Sequence, residues 1–150
     1  IAKEYDTTQY IVIQIGEEQY GIDIKYVDNI LRMQHITRVP HTQPYFKGVI
    51  NLRGEVVPVM SLRIKMSLDD DVITNKSRII ILKLENNAPV GVVVDEVKEV
   101  VSLDERYIDI VTKNSSNKND ASFISGVGHI DQGLISILDL ATIINEKETV

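Results

Sequence analysis

The sequence repeats itself once. YIVIQIGEEQYGIDI (residues 10–24) is matched by RIIILKLENNAPVGVVV (78–94), with Gly21 opposite Gly91. FKGVINLRGEVVPVMSL (46–62) is matched by FISGVGHIDQGLISILDL (123–140), with Gly48 opposite Gly126 and Leu62 opposite Leu140. A hairpin–hairpin unit used twice constrains the fold strongly. Neither copy is large enough to bury much core alone, so the two must pack together. Short strands with frequent turn signals predict small barrels rather than a parallel α/β sheet. The expected organisation is a single domain over 1–150, with subdomains near 9–68 and 77–145 and a possible exchange of terminal elements.

The elements follow from pattern. Tyr10 to Ile15 and Gln19 to Ile22 read as a hairpin about Gly16-Glu17-Glu18. Ile24, Val27, Ile30 and Leu31 then recur at three- and four-residue steps, which predicts a helix face with Asp23 as N-cap. His35 to Pro44 carries two prolines and reads as a loop. Phe46 to Leu62 forms a hairpin whose tip is Arg53-Gly54-Glu55. Pro58 has no N–H for a ladder, which places its strand at an edge or a bulge. Ser61 to Met66 predicts one helical turn, and the acidic Leu68 to Lys76 a subdomain boundary. Arg78 to Leu84, Val90 to Val94 and Lys98 to Ser102 read as strands. Lys113 to Ala121 reads as an exposed, flexible loop by composition. A last hairpin turns at Asp131-Gln132-Gly133, and Asp139 to Asn145 ends the chain's pattern as a short helix.

Composition closes several routes. With no Cys there are no disulfides, zinc thiolates or thiol nucleophiles. A net charge of −6 and scattered basic residues argue against nucleic acid as a partner. No apolar run has the length of a membrane span, and the polar Ile1 to Thr8 does not resemble a signal peptide. The first residue is not Met, which fits a chain trimmed at its start.

Catalytic and metal signals are weak. His35, His41 and His129 lack HxxxH or HxH spacing. No GxSxG elbow exists, and Gly126 to Gly133 lacks the GxGxxG pattern that holds a pyrophosphate. Asp69-Asp70-Asp71 departs from a calcium loop and reads as a solvated acidic linker. A hydrolase or metal enzyme would need a polar cleft gathering at least two of the histidines. Two features carry a functional reading beside a structural one. The stripe Ile24, Val27, Ile30, Leu31 is either core or the edge of a partner groove. Arg53 occupies a tip where the second copy has Asp131-Gln132-Gly133, so folding does not call for an arginine. It is either a surface ion pair or a fork for a partner's carboxylate.

The segments QYGIDIKYVDNI (19–30), ITRVPHTQPYFKGVINLRGEVVPVMSLRIKMSL (36–68), VGVVVDEVKEVVSL (90–103) and GLISILDLATII (133–144) resemble the CheW family of chemotaxis coupling proteins. The resemblance covers nearly the whole chain. It implies a mainly β fold of two packed five-stranded SH3-like barrels with a few short helices. It implies a non-enzymatic, cytoplasmic adaptor, without metal or cofactor, associated with membrane-bound chemoreceptor arrays. Its partners would be the cytoplasmic tip of a chemoreceptor and the regulatory domain of the histidine kinase CheA. Residue by residue, the resemblance implies a receptor groove between the barrels from Val27 and Ile30 on the helix, Arg53, and Val97 and Val100 on an opposite wall. It implies a kinase-facing set of Gly48, Gly54, Glu55, Tyr107 and Asp109, within which the match over Tyr107 to Lys113 is poor. This chain has Asn29 where the family often has a glutamate that could pair with the arginine, and Ser61 where it often has an aspartate. The alternative is a CheW-like module of a larger chemotaxis protein, a kinase or a CheW–receiver fusion. The short polar ends 1–8 and 146–150 suit an independent domain better.

Overall fold

The computed structural model describes residues 6–111 and 123–145. The expected loop Lys113 to Ala121 lies outside them. The order is β1 (Thr7–Ile15), β2 (Glu18–Asp23), a 3-10 turn (Ile24–Tyr26), β3 (Val27–Arg32), β4 (Phe46–Leu52), β5 (Glu55–Ser61), α1 (Leu62–Lys65), β6 (Arg78–Leu82), β7 (Val90–Val94), β8 (Glu96–Asp104), a second 3-10 turn (Glu105–Tyr107), β9 (Ile108–Ile110), β10 (Ile124–Ile130), β11 (Gly133–Leu138) and α2 (Leu140–Asn145). The class is the expected one: mainly β, in two sheets, with a few short helical turns.

The chain divides into two compact units. Unit 1 is Ile1–Lys25 with Lys98–Val150, and unit 2 is Tyr26–Val97. These are not the two copies of the repeat. Unit 1 takes its first hairpin, β1–β2, from copy one and its other strands from copy two. Unit 2 takes β3–β5 from copy one and β6–β7 from copy two. The acidic segment Leu68 to Lys76, expected as a boundary, lies inside unit 2.

Unit 2 has the strand order β3-β6-β7-β5-β4. Its core is Ile50, Val57, Val59, Ile79, Ile81 and Val93. The sheet closes on itself, because Thr37, five residues beyond β3, exchanges two backbone hydrogen bonds with Val49 on the far strand β4, at 2.8 and 2.9 Å. Gly48 permits that closure. Its φ is +142°, and a Cβ there would lie 2.2 Å from the carbonyl oxygen of Thr37. Pro58 lies in a central strand, not at an edge, since β5 pairs with both β4 and β7. It is tolerated because Val49, its partner in register, spends both backbone groups on Thr37. The proline nitrogen therefore points away from β4, on the side where pairing with β7 begins only at Val59.

Unit 1 repeats this plan as β8-β1-β2-β11-β10, with the three-residue β9 as a sixth strand. Its core is Tyr10, Val12, Leu103, Ile135 and Ile137. β8 runs through a 3-10 turn into β9, which pairs with β10, so the segment after the first strand again reaches the far strand. Gly126, the counterpart of Gly48, passes 3.0 Å (as an ideal Cβ) from the carbonyl of Asp109. The register of the hairpin shifts at Gly48 and at Gly126 alike. Gly21 and Gly91 also match in space. Each faces a barrel interior, where a Cβ would press on Ile135 or on Ile79 and Val59. Ser61 and Asp139 are matched caps, accepting from the N–H of Ile64 at 3.1 Å and of Thr142 at 3.2 Å.

The expected helix over Ile24 to Leu31 is absent. Asp23 does accept the Lys25 N–H at 3.1 Å, but only three residues turn before β3 begins. The acidic run is also not simply solvated. The Asp71 side chain is 2% exposed, accepts the Ser61 hydroxyl at 2.6 Å, and lies 3.5 Å from Lys47, which also pairs with Asp70. One oxygen of Asp71, Oδ1, is buried with no hydrogen-bond partner. These contacts tie the α1–β6 loop to the helix cap and to β4.

Candidate functional site

The three- and four-residue spacing that suggested a helix is that of a bulged strand. Val27 pairs with Leu82, Asn29 with Ile81 and Ile30 with Ile80, so Asp28 is an extra residue. Leu82 and Ile80 share a sheet face, and the bulge therefore brings Val27 and Ile30 to that face together. An unbulged strand would put them on opposite faces. Leu31, with Ile79 opposite, faces the barrel core. Ile80 and Leu82 are fully buried on the other side, Val27 is half-buried, and Ile30 is 39% exposed at the border of this apolar face.

Arg53 stands at the β4–β5 tip. Leu52 pairs with Glu55, which leaves a two-residue turn in which Arg53 and Gly54 have φ of +53° and +84°. Both signs are those of a type I′ turn, for which Asn-Gly is the favoured pair. An arginine held left-handed costs about 1–2 kcal/mol. The Asn51 side chain accepts the Gly54 N–H at 3.1 Å, which helps hold the turn. The Arg53 side chain is exposed and has no ion pair or hydrogen bond among the described residues. The Asn29 side chain accepts the N–H of Ile30 instead of meeting a cation.

Val97 and Val100 both lie on β8. Residues three apart on a regular strand face opposite ways, and Val97 is half-buried while Val100 is 52% exposed. Gly48, Gly54 and Glu55 lie in unit 2, and Tyr107 and Asp109 in unit 1. Gly48 is buried and offers no surface; its substitution would act through barrel closure. Gly54 and Glu55 are exposed at the tip, and Tyr107 and Asp109 are exposed around the start of β9. Asp109 meets His129 at 2.7 Å. His35 and His41 lie in unit 2 and His129 in unit 1, all exposed. Lys113 lies outside the described residues.

Among the exposed apolar residues that motif reading did not single out, two form a matched pair. Val56, opposite Asn51, is 69% exposed; Leu134, opposite His129, is 60% exposed. They occupy the same position in the two repeated hairpins, and aligning the repeat by register would have found them.

Architecture and surface together define a class: a two-unit β protein, each unit a small closed SH3-like sheet, whose distinctive side chains are apolar and cationic groups standing outward. The chain belongs to the CheW-like domain family, whose model matches residues 9–148. It is 33% identical over 139 residues to the chemotaxis protein CheW of Bacillus subtilis (strain 168), covering 93% of this chain and 88% of that protein. The chemotaxis protein CheW of Helicobacter pylori (strain ATCC 700392 / 26695) is 31% identical over 141 residues, covering 94% of this chain and 84% of that one. Among solved structures, the scaffolding protein TtCheW from Thermoanaerobacter tengcongensis superposes with a TM-score of 0.84 at 31% identity, covering 97% of this chain and 99% of that chain.

Proposed function

We propose that this chain is a non-enzymatic adaptor that couples chemoreceptors to the histidine kinase CheA in chemotaxis signalling. Family membership supports the chemotaxis role. The observation that carries the adaptor reading is Arg53, an exposed guanidinium with no partner among the described residues, kept in a turn position where Asn would fold at lower cost. A local rule broken without a structural return marks a residue retained for function. Arg53, Val27 and Ile30 in unit 2, with Val97 and Val100 on β8, are the residues proposed to hold the receptor tip. The kinase-facing set is Gly54, Glu55, Tyr107 and Asp109, with Gly48 supporting it from within and Val56 and Leu134 as apolar contacts. The mechanism is scaffolding, in which modest contacts to two partners are multiplied by array avidity. The protein would work in the cytoplasm beside membrane-bound receptors; no helix among the described residues is long and apolar enough to cross a membrane.

The test is Arg53→Asn. It should stabilise the fold by about 1 kcal/mol by relieving the left-handed arginine. The same change should weaken binding of a receptor cytoplasmic fragment, measured by calorimetry, by roughly tenfold, as expected for removal of one anchoring charge. A stabilised variant with unchanged receptor affinity removes Arg53 from the site. Wild-type protein that captures neither receptor fragment nor kinase regulatory domain overturns the adaptor reading.

A further inference from the structure

A pocket of about 320 Å³ opens in unit 1 between β8, the 3-10 turn that follows it, and the β10–β11 tip. Its floor is apolar, made by Val101, Leu103 and Ile130, which belong to the unit's core or pack on it. Tyr107, 47% exposed, forms a wall. Glu99 on β8 and Asp131 in the hairpin turn also line it, and neither carboxylate has a partner among the described residues. Gln132, beside Asp131 in the turn, adds a neutral acceptor, and Ser102 contributes to the wall between Val101 and Leu103. His129 lines the pocket as well, and its ring and the nearby Arg106 are both engaged by carboxylates. Arg106 is clasped by Asp104 at 3.0 and 2.7 Å, and His129 is turned onto Asp109.

We infer that this pocket receives an arginine side chain from a segment of a partner protein. The volume is at the low end of ligand pockets, which run from about 300 to 1,000 Å³, and suits one side chain better than a large cofactor. The apolar floor takes the aliphatic stem. One face of the Tyr107 ring already carries the Arg106 guanidinium, 5.5 Å from its centroid, so the ring serves as an apolar wall along the stem. Two carboxylates with no partner among the described residues, one on β8 and one in the β10–β11 turn, together with the Gln132 amide oxygen, match a planar group with five donors. A lysine ammonium, compact, more strongly hydrated and with three donors, would use fewer of them. The pocket shares Tyr107 with the proposed kinase-facing set and so rests in part on that reading, while the chemistry of its lining defines the occupant whichever protein supplies it.

The experiment is a ¹⁵N–¹H titration of the full chain with acetyl-Ala-Arg-Leu-amide. Parallel titrations use the peptides with citrulline or lysine in place of arginine. The expected result is shifts confined to amides around Ser102, Leu103, Tyr107 and Gln132 with the arginine peptide, and none with citrulline. Each of Glu99→Gln and Asp131→Asn should weaken binding about two- to fivefold, the range of an exposed ion pair. Glu99 is an exposed strand residue, so Glu99→Gln keeps the test valid even where a change in the turn at Asp131 disturbs the hairpin. Shifts scattered over the acidic surface, equal response to citrulline or lysine, or indifference to Glu99→Gln would each overturn the inference.

Discussion

Replacing Gly48 by alanine should open the barrel of unit 2. The new Cβ would lie 2.2 Å from the Thr37 oxygen, 2.8 Å from its carbonyl carbon and 2.9 Å from Ile36 Cγ2. Ordinary non-bonded separations are about 3.5 Å, so Thr37 must retreat by more than about 1 Å. A retreat of that size breaks both closing hydrogen bonds to Val49, now 2.8 and 2.9 Å. Two lost bonds, together with a non-glycine residue held at φ +142°, should cost about 3–5 kcal/mol. Against a total stability of about 5–15 kcal/mol this is a large fraction. Two controls separate the causes. Gly54→Ala has φ +84° and nothing within 4 Å, so it should cost only about 1–2 kcal/mol. Gly126→Ala, whose Cβ would touch the Asp109 carbonyl at 3.0 Å, should cost roughly as little, since small-to-large changes cost about 1–3 kcal/mol. The assay is urea unfolding followed by far-UV circular dichroism, the chain having no Trp. Partner capture by Gly48→Ala should fall with the folded fraction. A Gly48→Ala protein within 1 kcal/mol of the parent, or one no worse than Gly54→Ala, refutes the closure argument.

Other consequences are open to simple measurement. Asp71→Ala removes the partner of the Ser61 hydroxyl and one of the two carboxylates on Lys47, and should lower stability by about 2–3 kcal/mol in chemical denaturation. A shift of the urea midpoint too small to resolve would show that the loop is not held there. Ile30→Ser, at a 39% exposed position, should cost about 1 kcal/mol of stability yet weaken receptor-fragment binding by about tenfold. Equal binding by that variant and the parent would take β3 out of the receptor site. On acidification, the Asp70 carboxyl is held below its usual range, chiefly by the hydrogen bond from Lys47. Its contribution is thus present above the unfolded-state pKa and lost as pH falls through the lower folded value. Because Asp70 is largely exposed, the loss should stay below about 1 kcal/mol, and Asp70→Asn should flatten that part of the pH–stability curve. An unaltered curve in Asp70→Asn would show that the pair contributes nothing.

Much of the fold was legible because period-two apolar runs and glycine turns encode hairpins locally. The strands expected from Phe46, Arg78 and Phe123 start within a residue of where pattern put them, while β1 begins at Thr7, three residues before Tyr10, and β6 ends at Leu82, two residues before Leu84. The stretch from Ile24 to Leu31 failed because a bulge at Asp28 imitates helical spacing: an inserted residue turns a two-residue step into a three-residue one. The edge reading of Pro58 failed, though a bulge does lie beside it where the register shifts opposite Val59, because whether a proline nitrogen is needed depends on which neighbour a strand faces at that position, and Thr37 had already claimed Val49. Of the candidate site, Arg53 could be singled out from the repeat alone. Its left-handed backbone could not.

The sequence by itself determined that two similar hairpin–hairpin units exist, that glycine recurs at matched points in both, and that this chain is of the CheW-like kind. Those are local or comparative properties, carried by residue order. Only the tertiary structure decided that each unit borrows a hairpin from the other copy, since a parallel pairing such as Tyr20 with Ser136 joins strands more than a hundred residues apart. It also decided that Gly48 serves closure, that Asp71 is buried, and that Val27 and Ile30 share a face. Each of these depends on which backbone passes within a few ångströms of which, and no spacing along the chain records that.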